Sequence, residues 1–126
     1  NNFVAGWTDW NMALDTTGGP TWVNNLLDSP IIVNKTADEF YKQPTHYAMT
    51  HFSRFLRPGA RRIQSTPFGI DTLTLKHTAF VLNGQRIVVI LNSSDEDKSI
   101  SIQDGMSKAI NLNVAQHSIT TVTWTN

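Results

Sequence analysis

The rhythm of apolar and polar positions changes near residue 58 of this chain. Before that point Ala48, Phe52, Phe55 and Leu56 fall at i, i+4, i+7 and i+8, one face of an amphipathic helix. Gln43-Pro44 opens this helix, because a proline at the first helical position gives up an N–H that would lack a partner there anyway. Arg54 and Arg57 lie near its C-terminal end, where cations suit the helix dipole, and Pro58-Gly59 stops it. Beyond Gly59 the period falls to two. Arg62 to Thr66, Thr72 to Phe80, Arg86 to Asn92, Lys98 to Ile102, Ala109 to Val114 and Ser118 to Trp124 are alternating or β-branched and read as strands. Asn83-Gly84, inside Leu82 to Gln85, favours a tight hairpin, and Ser93 to Asp97 is a polar turn. Short strands at regular spacing with no helix among them predict an antiparallel β-sandwich.

The first forty-odd residues are less regular. Asn2 to Thr8, carrying Phe3, Val4 and Trp7, reads as a strand. Asp15 to Asn24 is rich in turn residues without a lasting period and reads as a long loop. Ser29-Pro30 followed by Ile31-Ile32-Val33 predicts a short extended run, since the residue before proline avoids the helical region. One helix followed by a sandwich makes an α+β chain, with domains expected at 1–57 and 58–126. Trp7, Trp10 and Trp22 crowd a segment too small to wall them in, so the first part reads as incomplete.

Composition narrows the function classes. The 126 residues suit one ordinary domain or one domain plus part of another. Ten basic residues balance ten acidic ones, without the basic excess of a nucleic-acid binder. A hydrophobic fraction of 40% argues for a folded chain, and the longest apolar runs, such as Ile87 to Leu91, are far too short for a membrane-crossing helix. Cysteine is absent, which removes disulfides, thiolate metal sites and thiol nucleophiles. The chain opens on Asn1 with no methionine and no signal peptide, so a processed product or a piece of a longer protein is expected.

Candidate chemistry is sparse. The glutamates are Glu39, just before the helix, and Glu96, in the polar turn. Neither suits a catalytic acid at a barrel strand end, and a retaining glycosidase needs its two carboxyls only about 5–5.5 Å apart. No catalytic residue is expected in this chain. Asp9, between Trp7 and Trp10, could bond a sugar hydroxyl while an indole stacks on the sugar face; the plainer role is to accept a backbone N–H. Trp10 is either a sugar platform or packing against the helix, and Trp124 reads as core or edge packing. His46 and His51 are five apart and miss the i, i+4 spacing of a metal pair, so neither metal nor cofactor is expected. Two glycosylation sequons occur, Asn34-Lys35-Thr36 and Asn92-Ser93-Ser94, and the second sits where an exposed turn is expected. Use of either requires passage through a secretory compartment.

Val4-Ala5-Gly6-Trp7-Thr8-Asp9-Trp10-Asn11-Met12-Ala13-Leu14, Gly18-Gly19-Pro20, Trp22-Val23, Asn25 and Asp28-Ser29-Pro30-Ile31-Ile32-Val33 together resemble the last barrel strand and following loop of the glucosylceramidases, the lysosomal acid β-glucosidases of glycoside hydrolase family 30. The likeness continues through Phe40 to Pro44, His51-Phe52-Ser53, Phe55, Val88-Val89, Leu91-Asn92 and Ser118-Ile119, more loosely in the sandwich half. The resemblance implies the last β/α unit of a (β/α)8 TIM barrel followed by a β-sandwich. It implies a C-terminal fragment of a retaining β-glucosidase that cleaves glucosylceramide to glucose and ceramide. The family's two catalytic glutamates lie on earlier barrel strands, upstream of Asn1. Trp10 and Asn25 match residues placed around the glucosyl group, so they are the substrate-binding residues the resemblance implies. Leu26 and Asn24 depart from the family's phenylalanine and arginine in the loop bordering the lipid entrance. The sequon at Asn92 matches a family sequon; that at Asn34 does not. The implied partners are a glycosphingolipid, the rest of the barrel, a saposin-type activator and an anionic membrane surface, in the lysosomal or secretory lumen, with no nucleic acid.

A second hypothesis, from a different class, is a stand-alone β-sandwich module that binds sugar or protein without catalysis. It predicts cooperative melting as a soluble monomer, whereas a fragment should expose apolar surface and bind a hydrophobic dye. A third is a related family 30 enzyme acting on another β-glycoside.

Overall fold

The computed structural model describes residues 3–106 and 108–125. The chain divides into two compact units, Asn1–Thr50 and His51–Asn126.

The first unit holds a three-stranded sheet. Strand β1 (Ala13–Asp15) pairs in parallel with β2 (Ile31–Asn34), Leu14 opposite Ile32. β2 pairs antiparallel with β3 (Glu39–Lys42), giving the order β1-β2-β3. Two parallel neighbours need a long crossover, and residues 16–30 supply it: the loop expected over Asp15 to Asn24 gives Asp15 to β1 and runs on to Pro30. The extended run expected at 31–33 is β2. β3 was not expected. The strand expected over Asn2 to Thr8 is not formed: Phe3 to Thr8 lie outside any strand, Phe3 has a φ of 58°, and Asn2 lies outside the described residues. An isolated segment gains no ladder of N–H and C=O partners, and none of the described strands runs beside this one. Leu14 is the one buried hydrophobic side chain of this unit among the described residues.

Helix α1 (Pro44–Ser53) starts at the predicted proline and crosses the division between the units. It ends earlier than the apolar face predicted, and the N–H groups of Phe55 and Leu56 fold back onto the Phe52 carbonyl. No residue of α1 is buried.

The second unit is the predicted antiparallel sandwich. Strands β4 (Arg61–Ile63), β5 (Leu75–Leu82), β6 (Gln85–Asn92) and β9 (Ser118–Thr125) form one sheet in the order β4-β5-β6-β9. β7 (Lys98–Asp104) and β8 (Lys108–Val114) form the second. Asn83 and Gly84 join β5 to β6 with φ of 49° and 81°, the positive pair that a two-residue type I′ hairpin needs. β5 starts later than Thr72 because Asp71 captures that stretch: its carboxylate accepts from the Leu73 N–H and the Thr74 hydroxyl, and its carbonyl from the Leu75 N–H.

Alternation decides the core. Leu75 and Ala79 on β5 and Val88 and Ile90 on β6 bury one face of the larger sheet against Val114. Ile100, Ile102 and Leu112 pack on from the smaller sheet, and Val122 and Trp124 from β9. Trp124 is therefore core-edge packing, with its indole N–H given to Asp104 at 3.0 Å. The other face of β6 is closed as well, since Ile87 and Val89 are buried. His51 shares a 2.8 Å hydrogen bond with Thr121, the register partner of Val89 on that face.

Candidate substrate-binding loop

The loop between β1 and β2 is built by its own polar side chains. Asp15 Oδ1 accepts from the Thr17 hydroxyl (2.6 Å), the Thr17 N–H (2.8 Å) and the Gly19 N–H (3.0 Å). The Thr17 hydroxyl, followed by the Gly19 and Thr17 amides, holds the Asp15 carboxyl below its ordinary value, because each bond favours the charged form. Gly18 closes the neck. Its carbonyl accepts from the Leu27 N–H at 3.2 Å, its φ is +86°, and a β-carbon there would stand 2.5 Å from the Leu27 carbonyl oxygen. No other residue type fits that approach.

Inside the neck, Thr21 Oγ1 accepts from the amides of Val23 (3.3 Å) and Asn25 (3.2 Å) and so fixes the backbone of Asn25. Asn25 is exposed, and among the described residues its side-chain amide has no hydrogen-bond partner. Trp22, Val23 and Leu26 beside it are exposed too. At the far end Asp28 accepts from the Ser29 N–H, and the buried Ser29 gives its hydroxyl to the Ile31 carbonyl, leading the chain into β2.

Trp10 stands on the other side of β1 and is 73% exposed. The Asp9 carboxylate accepts from the Trp10 N–H at 3.0 Å, the plainer of its two expected roles. Trp10 and Asn25 thus flank the same short strand, Trp10 before it and Asn25 after. Neither lines the depression at the loop neck, whose walls include Asp15, Gly18, Leu26, Leu27, Asp28 and Ile32. Sequence reasoning missed Thr21 and Asp15 as the groups that shape this loop; a threonine four residues before Asn25, and an aspartate opening Asp-Thr-Thr-Gly-Gly, were the signals.

The two glutamates are engaged elsewhere. Glu39 accepts from the Tyr41 hydroxyl at 3.0 Å. Glu96 takes the Lys98 ammonium at 2.8 Å, and that hydrogen bond holds its carboxyl below the usual range. They belong to different units.

The two sequons fall in opposite environments. Asn34 ends β2 at the start of an exposed turn. Its Oδ1 accepts from the amides of Thr36 and Ala37, and its Nδ2 donates to the Tyr41 hydroxyl at 3.1 Å. Asn92, expected at an exposed turn, is instead wholly buried. Its Nδ2 faces the carbonyls of Glu96 (2.8 Å), Val114 (3.1 Å) and Ala115 (3.0 Å), while its Oδ1 accepts from the Ser94 amide and hydroxyl. In the folded sandwich the Asn92 side chain is fully buried and both its amide protons are spent on backbone carbonyls.

Comparison with known proteins fits this arrangement. The family described as the glycosyl hydrolase family 30 TIM-barrel domain matches residues 1–56, and the glycosyl hydrolase family 30 beta sandwich domain matches residues 59–122. "Putative glucosylceramidase 3" of Caenorhabditis elegans is 47% identical over 98% of this chain, and the lysosomal acid glucosylceramidase of Mus musculus 45% over 80%. The chain spans 24% and 19% of those two proteins. The crystal structure of SrfJ from Salmonella typhimurium superposes with a TM-score of 0.85 at 32% identity, over 94% of this chain and 26% of that one. The endo-beta1,6-glucanase BT3312 superposes at 0.83 with 25% identity, over 92% and 26%. A piece of the family's barrel followed by its β-sandwich is thus the architecture present, and the chain belongs to glycosyl hydrolase family 30.

Proposed function

We propose that the chain is the C-terminal portion of a retaining β-glucosidase that hydrolyses glucosylceramide to glucose and ceramide. The observation that carries this reading is identity of 45–47% to two proteins named glucosylceramidase, over 98% and 80% of this chain. The domain boundary is assigned at residues 57 and 58.

The chemistry divides accordingly. Retention needs a nucleophilic carboxylate and an acid/base carboxyl about 5–5.5 Å apart. Glu39 and Glu96 already have partners in separate units, so earlier barrel strands supply that pair. This chain supplies one wall of the glucosyl site, consistent with active sites built from loops at the C-terminal ends of barrel strands. Trp10 offers an apolar face to the sugar ring, and Asn25 an unengaged amide to its hydroxyls. Thr21 holds the Asn25 backbone, and Asp15 with Gly18 holds the loop. Asn24 and Leu26 lie beside Asn25 and face the ceramide side of the same reading. The lysosomal lumen, a saposin-type activator and an anionic membrane surface complete the proposal; the name of the mouse relative supports the lysosome.

The test is Trp10→Ala in the longer parent enzyme. Catalytic efficiency on glucosylceramide is expected to fall tenfold or more, about 1.4 kcal/mol of transition-state stabilisation. An unchanged rate would remove Trp10 from the pocket. The solved endo-beta1,6-glucanase, at 25% identity, raises a second reading, hydrolysis of another β-glycoside. Turnover of β-1,6-glucan oligosaccharides with none of glucosylceramide would establish it.

A further inference from the structure

The contrast between the two sequons carries an inference about modification. We propose that Asn34 is an N-glycosylated residue of this protein and that Asn92 is not, an inference that rests on the lumenal localisation proposed above.

Glycosylation makes a bond between Nδ2 and C1 of an oligosaccharide donor. The C1–O bond to the donor's lipid-linked pyrophosphate breaks, and one amide proton leaves with the released pyrophosphate. The product is a secondary amide with a single N–H. A usable asparagine must therefore spare one Nδ2 proton and the space around it.

Asn34 meets both conditions. It spends one proton on Tyr41, and among the described residues the other has no partner; the Tyr41 hydroxyl is itself anchored on Glu39. The two bonds that shape the turn go to Oδ1, which glycosylation leaves untouched. Lys35, Thr36, Ala37 and Asp38 are all exposed, and the positive φ of Asp38 (55°) completes a tight reversal into β3. The turn's lysine, threonine and acids suit water, in contrast to the indole-rich stretch from Trp7 to Val23. Its hydroxyl residue is a threonine at the required position.

Asn92 fails both conditions. Three backbone carbonyls crowd its Nδ2, none of its surface is exposed, and it stands at the end of the strand that carries Val88 and Ile90. A sugar added before folding would remove a proton from this cluster and hold the two sheets apart.

The experiment secretes the longer parent protein from a eukaryotic host. A peptide N-glycosidase, an amidase that hydrolyses the glycosylated side-chain amide and leaves aspartate, is applied, and the peptides around positions 34 and 92 are read by mass spectrometry. Conversion at 34 and none at 92 is the expected result. Thr36→Ala should remove one glycan from the mobility pattern while keeping the Asn34 cap on the turn, and Asn34→Gln should remove the same glycan together with the cap. Unmodified Asn34 in lumenal protein overturns the inference alone. Unmodified Asn34 in protein fractionating outside the lumen overturns it together with the localisation it rests on. A glycan found on Asn92 of folded protein overturns its second half.

Discussion

The two units treat their apolar side chains in opposite ways. In His51–Asn126, Leu75, Ala79, Val88, Ile90 and Val114 are drawn from three strands into one closed core. In Asn1–Thr50, Leu14 is buried while Phe3, Trp7, Trp10, Trp22 and Val23 stand in solvent. Burying one tryptophan releases about 4–6 kcal/mol at ~25 cal/mol per Å². Several indoles left exposed in one short unit are therefore surfaces prepared for walls this chain does not contain. A sandwich encoded with both its sheets closes on itself, whereas a barrel strand with its loop reaches its burial only beside further strands or a sugar.

The largest effect that tests this contrast is in the sandwich. Asn92→Ala would leave the buried Val114 carbonyl without its side-chain donor and open a polar cavity beside it, and at about 1–3 kcal/mol for an unsatisfied buried group the loss should be about 1–3 kcal/mol. Trp22→Ala removes a larger side chain, yet in this chain it should shift stability by less than about 0.5 kcal/mol, because the indole touches little but water. Denaturant melts of the two variants compare them directly. In the longer parent the same Trp22→Ala should cost about 3–5 kcal/mol if the barrel buries it. A Trp22 variant that already destabilises the short chain would break the contrast.

Legibility from sequence follows the same division. The six sandwich strands were readable because period-two alternation reports a face that this chain itself covers. Even Asn92 was readable: alternation sets residues 88, 90 and 92 on one face, with Val88 and Ile90 in the core, so its place at the strand end misled where its parity would not have. Asp71 moved the start of β5 because an aspartate that captures nearby amides outcompetes a ladder. Phe3 to Thr8 carry the apolar residues of a strand without a neighbour, and composition cannot supply hydrogen-bond partners. β3 escaped notice because Glu39 and Lys42 flank Phe40-Tyr41 and leave no lasting alternation. The roles proposed for Trp10 and Asn25 rest on resemblance. Nothing local distinguishes an exposed indole meant for a sugar from one meant for a neighbouring helix.

A smaller effect separates loop shape from sandwich stability. Thr21→Val removes the acceptor of two exposed amides, worth about 0.5–1.5 kcal/mol each at most and less in water. Activity of the parent on glucosylceramide should fall several-fold through a raised KM, with the melting of the sandwich unchanged. Thr21→Ser keeps the oxygen and should restore most of the loss. An unchanged KM in Thr21→Val would show that the loop does not depend on the hydrogen bonds to Val23 and Asn25.

The smallest effect is electrostatic, and it occurs in both units. Asp15 in the loop and Asp71 before β5 each accept hydroxyl and amide hydrogen bonds, and each is held below the ordinary value of 3.8. The folded loop then binds protons less readily than the unfolded chain, so the stabilisation is fully present above 3.8 and fades as pH falls through the lowered folded value. Amide exchange at Thr17 and Gly19 should stay protected down to that point, then open in acid beyond its intrinsic rate. Asp15→Asn keeps an accepting oxygen but cannot titrate, so its protection should lose this pH dependence. The Leu73 amide should loosen in the same window through Asp71, while amides of β5 and β6 stay closed because their protection comes from the core. Acid opening of equal size in Asp15→Asn would show that the loop is held by its neck at Gly18 and Leu27, and that its carboxylate is incidental.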